Sequence, residues 1–163
     1  MGRRSKLIPA MFINSVLCVN DMTKSKGKVF EWSDAWIFAS MRGATDDDRS
    51  IDFTYLIASS DNLNRSIPSD TEIRNALQKL YRYGLVDFKQ GVIKVPLFIE
   101  EMYLKIEKKR GGLFSVVDNS LSVLNSPRTK LPIKNEDKID LTFIDNNFVL
   151  KHYKKYVSLI SNT

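Results

Sequence analysis

The fold is decided by residues 67–96, which read IPSDTEIRNALQKLYRYGLVDFKQGVIKVP. Pro68 ends any helix that arrives from upstream, because the residue before a proline is pushed to extended geometry. Ser69 and Glu72 then follow with the Ser-x-x-Glu spacing of a capping box, in which each side chain bonds the backbone amide of the other residue. The sequence therefore predicts a helix over residues 70–83.

The hydrophobic pattern changes from a helical to an alternating period after Gly84, where the helix is expected to stop. Residues 85–88 and 92–95 are two short runs of the residue types that favour strands. The three residues between them, 89–91, form the predicted loop, in which Gly91 suits a positive φ. We therefore predict an antiparallel hairpin directly after the capped helix.

Two amphipathic helices are predicted upstream of this segment. Ser33 can cap a helix over residues 34–41, with Gly43 just past its end. A second helix is predicted over residues 52–62, since its apolar positions recur at intervals of three and four residues. These positions are Phe53, Leu56 and Ile57.

The order of these elements resembles the winged helix-turn-helix superfamily over roughly residues 32–96. The residues that carry the resemblance are Ile73, Ala76, Leu77, Leu80, Gly84, Leu85, Val86, Gly91, Ile93 and Val95. The resemblance implies a mainly α fold with a small β-hairpin (α+β). It says less about function, because one fold serves many functions.

A narrower resemblance covers residues 58–73, which read ASSDNLNRSIPSDTEI, and the Gly-Gly-Leu-Phe segment at residues 111–114. Both are similar to segments of short bacterial winged-helix proteins that are largely without an assigned activity. This resemblance implies the same fold and a bacterial origin, and it implies no activity.

We divide the chain into a basic N-terminal arm (1–28), a winged helix-turn-helix domain (29–96) and a C-terminal helical extension (97–163) with a polar linker (125–144). The extension has amphipathic patterns over residues 98–110 and 113–124, separated by a glycine pair, and a last helix that Asp145 caps. Its apolar stripes fit either a homodimer interface or packing against the domain.

Double-stranded DNA is the expected partner. The formal net charge of +6 permits a polyanionic partner. The predicted recognition helix has a polar stripe opposite its apolar face, and its amide and guanidinium groups are those that bond base edges in the major groove. The predicted contacts in this helix are Thr71, Arg74, Asn75, Gln78, Lys79 and Arg82. Those in the wing, which would reach the backbone, are Lys89, Gln90 and Lys94.

A role in protein–protein interaction is the alternative. Every exposed helix needs a polar face, and the same residue types form ordinary solvated ones. Asp70 and Glu72 also place negative charge at the start of the predicted recognition helix. An exposed apolar patch in the extension would favour this alternative. The patch would consist of Leu113, Phe114 and Val117.

The chain contains few residues suited to catalysis or metal binding. Cys18 is the single cysteine, so no intrachain disulfide and no cysteine cluster is possible. His152 is the single histidine and is predicted on the exposed face of the last helix. The three aspartates at residues 46–48 are interpreted as a solvated acidic loop. We expect no catalytic residues, no metal and no cofactor, so the protein is not expected to be an enzyme.

The N-terminal segment leaves several interpretations open. A basic start followed by an apolar run over residues 7–19 resembles a signal peptide superficially. Pro9 and Asn14 interrupt that run, and no small-x-small cleavage site follows. It is also too short to span a membrane as a helix. We expect a cytoplasmic protein, in which residues 1–21 are either an arm packed on the domain or an extension upstream of a functional start at Met22.

Overall fold

The structure is a computed structural model that describes residues 28–161. These residues form six α-helices, one turn of 3-10 helix at Leu113–Ser115 and a two-stranded antiparallel sheet. The predicted class, mainly helical with a small β-hairpin, is confirmed. The helices are α1 (Trp32–Ala44), α2 (Phe53–Asn64), α3 (Asp70–Arg82), α4 (Ile99–Glu107), α5 (Val116–Leu124) and α6 (Asn146–Ser161), and the strands are β1 (Asp87–Lys89) and β2 (Val92–Lys94). Most of the predicted arm, residues 1–27, lies outside the described residues.

α1 begins earlier and ends later than predicted. Its N-cap is Glu31 rather than Ser33, and the backbone amide of Glu31 donates a 2.7 Å hydrogen bond to Asp34 Oδ2. Gly43 lies inside the helix and not past its end. A side chain at Gly43 would meet α2, since a Cβ built there lies 2.3 Å from Ser59 Oγ. The glycine therefore serves close helix packing, which the local pattern does not reveal.

The capping box predicted at the start of α3 is confirmed. The amide of Glu72 donates to Ser69 Oγ at 3.2 Å, and the amide of Ser69 donates to Glu72 Oε2 at 2.8 Å. Gly84 follows the helix with a φ of +67°, in the region that favours glycine. Both ends of α3 are thus set by local sequence.

The hairpin has a tighter turn than predicted. Lys89 pairs with Val92 inside the ladder, so the loop consists of Gln90 and Gly91 alone, with φ of 53° and 77°. Positive φ at both central residues is the geometry of a type I′ turn, whose twist matches that of the strands. The prediction of a three-residue loop was wrong because glutamine is an uncommon residue at positive φ.

A segment between α1 and α2 runs along the free edge of β2. The amide of Ile51 donates to the carbonyl of Ile93 at 3.0 Å, and the amide of Val95 donates to the carbonyl of Arg49 at 2.8 Å. These bonds attach the base of the hairpin to the segment that joins α1 and α2. They therefore fix the hairpin to α1, α2 and α3, which we call the three-helix unit. The sheet edge that would otherwise be exposed is therefore covered.

Residues on both sides of Pro96 contribute to one continuous apolar core. α5 contacts α1, and α6 contacts α2. Tyr103 of α4 is buried and donates a 3.0 Å hydrogen bond from its hydroxyl to the carbonyl of Phe38. Burial raises the pKa of Tyr103, so its hydroxyl stays protonated as a donor.

His152 was predicted to be exposed, and that prediction was wrong. Its ring packs on Phe148, with centroids 4.4 Å apart, and its Nδ1 lies 2.8 Å from the hydroxyl of Thr54. Burial lowers the pKa of His152 and so favours the neutral imidazole. The cause is the docking of α6 onto α2, which covers a face that a single helix would leave in solvent.

We expect Ser69→Ala to lower the free energy of unfolding by about 1 kcal/mol, because the first turn of α3 loses its capping side chain. Ser66→Ala is the control, since Ser66 is exposed in the preceding turn. The measurement is urea unfolding followed by circular dichroism. Equal stability of the two variants would show that the capping box does not hold α3.

Candidate nucleic-acid interface

α3 turns one face to the core and the opposite face to solvent. The buried face is fully covered, with 0 % exposure of each of its four residues, Ile73, Ala76, Leu77 and Leu80. On the opposite side Thr71, Asn75 and Arg82 are exposed. We call these three residues the α3 ridge. Within residues 28–161, neither Asn75 nor Arg82 has a side-chain hydrogen bond or ion pair, so both are available to a ligand.

Arg74 lies beside the ridge and is already engaged at both ends of its guanidinium. It forms an ion pair with Asp70, one helical turn earlier, at 3.0 Å. It also donates to the carbonyl of Ile144 at 3.0 Å. With these two partners, Arg74 links α3 to the segment that contains Ile144. Its guanidinium is therefore not free for a base or a phosphate.

Gln78 uses its side-chain amide inside the protein. Its Oε1 accepts a 3.0 Å hydrogen bond from the backbone amide of Ile139, and its Nε2 lies 3.5 Å from the carbonyl of Asp137. A glutamine recognises adenine with these same two atoms. Gln78 can therefore read a base only if this segment moves away.

Residues 134–144 form an irregular segment that lies along α3, which we call the strap. The backbone amides of Lys134 and Asn135 both donate to the carbonyl of Arg82, at 2.9 and 3.1 Å. Leu141 and Ile144 anchor the strap in the core, with 5 % and 0 % exposure. The strap is most of the segment that the sequence predicted as a polar linker, and it is ordered by contacts distant in sequence.

Lys79 lies on the other side of the ridge and binds α1. Its Nζ is 2.5 Å from Asp34 Oδ2, and the carboxylate side chain is only 3 % exposed. A buried carboxylate needs such a partner, because an unpaired charge in the interior is costly. The ion pair joins α1 to α3 and engages the ammonium group of Lys79, whose side chain is 28 % exposed.

The hairpin presents the three predicted wing residues at the surface. Lys89, Gln90 and Lys94 are all exposed, and they line a shallow concavity with Ser50 and Val92. Lys94 Nζ lies 3.4 Å from the carbonyl of Asp48, which draws it toward the loop before α2. Lys89 has no ion-pair partner within the described residues.

The surface around the ridge is not strongly basic. Glu31 and Glu72 line the same concavity as Asn75 and Arg82. Residues 1–27 hold five of the Lys and Arg residues and one acidic residue, so residues 28–163 have 20 basic and 18 acidic side chains, a formal charge of +2. Most of the positive charge that suggested a polyanionic partner therefore belongs to the N-terminal arm.

Sequence reasoning missed the strap, although a signal for it exists. Four apolar residues, Ile139, Leu141, Phe143 and Ile144, stand in a stretch that is otherwise polar. Isolated apolar residues in an irregular segment indicate anchoring on a core, whereas a true linker has few of them. The partners of Gln78 and Arg74 could not be derived in this way, because they are backbone carbonyl and amide groups of a distant segment.

No family, curated protein or solved structure shows a significant match to the chain. Within residues 28–161, no cluster of three or more His, Cys, Asp or Glu side chains is arranged to hold a metal ion. No helix in that range is both long and apolar enough to cross a membrane. The candidate interface therefore rests on its geometry alone.

We expect Gln78→Ala to lower the free energy of unfolding by about 1 kcal/mol, because the partly buried amide of Ile139 loses its acceptor. Hydrogen exchange at that amide should accelerate. Asn75→Ala, one turn earlier and exposed, should leave both quantities close to those of the wild type. If Gln78→Ala exchanged at Ile139 no faster than Asn75→Ala, the strap would not depend on this side chain.

Proposed function

We propose that the protein is a non-enzymatic, cytoplasmic DNA-binding protein with a winged helix-turn-helix fold, similar in type to a transcriptional regulator. The observation that carries the proposal is the exposed α3 ridge, in which Asn75 and Arg82 have no side-chain partner within residues 28–161, in a helix that follows α2 after a tight turn and precedes a hairpin. The bridge between Ser50 and Lys94 supports the fold assignment, since it adds a third extended segment beside the hairpin.

The ridge and the hairpin suggest distinct roles. Asn75 is suited to adenine and Arg82 to guanine, and Thr71 can bond either phosphate or base. Lys89, Gln90 and Lys94 are suited to the sugar-phosphate backbone beside the recognition helix. Arg74, Gln78 and Lys79, which the sequence alone also favours as DNA contacts, are assigned here to holding the strap and α1 in place.

The first test is binding of the full chain to random duplex DNA across a salt series, followed by fluorescence anisotropy. Affinity should fall as salt rises, because lysines and arginines replace counterions on the phosphates. Lys89→Gln should reduce the logarithmic salt slope by about one. Asn75→Ala combined with Arg82→Gln should cost about 30-fold or more on a selected site, since each base contact contributes about 1–3 kcal/mol.

Lys154→Gln is the matched control, because Lys154 is exposed on α6 and lies outside the proposed interface. It removes one charge and should leave the affinity for a selected site nearly unchanged. Equal losses in this control and in the ridge variant would mean that the ridge does not read DNA. No binding at low salt by the folded chain would contradict the proposed function itself.

A second candidate function is protein–protein interaction, and one observation favours it. Leu113 and Phe114 are 56 % and 73 % exposed, next to each other in the turn of 3-10 helix before α5. Val117, which the sequence grouped with them, is buried at 3 % exposure. The remaining apolar pair suits a partner protein or a second copy of the chain, and the proposed homodimer would use it.

We expect Phe114→Asp to lower self-association without loss of fold, since the side chain is mostly exposed. Sedimentation velocity over a concentration series measures the effect. Leu97→Asp is the control, because Leu97 is 76 % exposed in the turn before α4. A wild-type chain that stays monomeric at every concentration would exclude the homodimer and leave this surface to a different protein.

A further inference from the structure

One concentration of positive charge in the described chain lies away from the α3 ridge. Residues 102–134 contain seven basic side chains and two acidic ones, a formal charge of +5, whereas residues 28–163 together carry +2. The basic residues are Lys105, Lys108, Lys109, Arg110, Arg128, Lys130 and Lys134. The rest of the folded chain is therefore net negative, and the surplus of cations belongs to this range of the sequence.

Part of this charge lines a cleft between α4, α5 and the turn that follows α5. The cleft encloses about 440 Å³. Three cationic side chains and three hydroxyl groups line it together with Val123, and no carboxylate does. These six residues are Lys105, Lys109, Arg128, Ser122, Ser126 and Thr129. We call it the basic cleft.

Both acidic residues within 102–134 have partners outside the cleft, and Glu101, one helical turn before Lys105, does not line it. Glu107 is ion-paired with Arg42 of α1, and Asp118 accepts a 3.1 Å hydrogen bond from the indole of Trp32. Within residues 28–161, neither Lys105 nor Arg128 forms an ion pair with a carboxylate. The positive charge of the cleft is therefore not neutralised by the protein.

The walls of the basic cleft are held by local hydrogen bonds. The turn closes with the amide of Thr129 donating to the carbonyl of Ser126 at 2.9 Å, and the amide of Arg128 lies 3.3 Å from Ser126 Oγ. Across the cleft, Lys109 Nζ donates to Ser122 Oγ at 3.1 Å. The cations are thus attached to ordered backbone on both walls, which lowers the entropic cost of binding an anion between them.

We propose that the basic cleft binds phosphate groups. A phosphate offers several acceptor oxygens to lysine, arginine and hydroxyl donors at once, and a guanidinium can bond two of them in parallel. The favoured source of these phosphates is the backbone of nucleic acid, and this part of the inference rests on the proposed function. A free phosphorylated molecule offers the same chemistry and is distinguished by the test below.

The path of the chain connects the cleft to the candidate DNA interface. From Arg128 the chain passes Lys130 to Lys134, whose amide bonds the carbonyl of Arg82 at the end of α3. Lys134 Nζ also lies 5.0 Å from the ring centre of Phe98, at the start of α4. The six steps from Arg128 to Lys134 span at most about 20 Å. One strand of B-DNA carries about six phosphates over that length.

The test compares Lys105→Gln/Arg128→Gln with Lys154→Gln/Lys155→Gln, which removes the same charge from the exposed face of α6. All four side chains are exposed, so both double variants should unfold at the wild-type temperature. Each protein is titrated with random duplex DNA across a salt series and, separately, with inorganic tripolyphosphate by calorimetry.

We expect the cleft variant to lose about 10-fold in duplex affinity at low salt and to reduce the salt slope by about two, at about 0.9 for each phosphate contact. The control should retain the wild-type slope to within about 0.5, which corresponds to about half of one phosphate contact. Arg128→Lys should keep the wild-type slope, because it keeps the charge.

The remaining outcomes separate the two proposals. Binding of both duplex and tripolyphosphate that is the same in the cleft variant and the control would overturn the phosphate site and leave the proposed function standing. Tripolyphosphate binding that the cleft variant loses, in a chain that binds no duplex, would support a site for a free phosphorylated ligand and contradict the proposed function. Binding of neither probe by the wild type would overturn the site.

Discussion

The structure depends on the burial of α1 between α2, α3 and α5. A helix covered on so many sides can contain polar groups only where each has a partner, because an unsatisfied polar group in the interior costs about 1–3 kcal/mol. α1 meets this condition at three places. Trp36 Nε1 donates a 3.1 Å hydrogen bond to the carbonyl of Ser60. Asp34 binds Lys79 of α3, and Ser40 accepts a 2.9 Å hydrogen bond from Ser60 of α2. These pairs fix how α2 and α3 are placed against α1, and so they fix which face of α3 remains outside.

The sequence was sufficient wherever the determining forces are local. Ser69, Glu72 and Gly84 set the two ends of α3, and the helical period was enough to place Thr71 and Asn75 opposite the core. The hairpin was predictable for the same reason, apart from its turn. The sequence failed where a residue is controlled by a distant part of the chain. Gly43 faces Ser59 of α2, and the pattern around it suggests a helix end.

The same distinction applies to the candidate site. A polar stripe on a helix shows which side chains leave the core, but not which of them another segment will bind. Gln78 and Arg74 are taken by the strap and Lys79 by Asp34, whereas Asn75 and Arg82 remain unpaired among the described residues. The net charge says equally little about where in the chain the charge lies. A total for the whole chain does not reveal that the arm carries most of the surplus, or that the folded part gathers its cations around α4 and the turn after α5.

The docking of α6 onto α2 has a consequence for how the chain emerges during synthesis. Phe53 at the start of α2 is covered by Phe143 and Phe148, with ring centroids 6.3 and 5.0 Å apart. These partners leave the ribosome about 90 residues after Phe53, which corresponds to roughly 5–20 s of translation. During that interval the nascent three-helix unit exposes an aromatic surface with no cover of its own. α6 therefore covers this apolar surface late in synthesis. A chain truncated before α6 is expected to be the form most prone to aggregation.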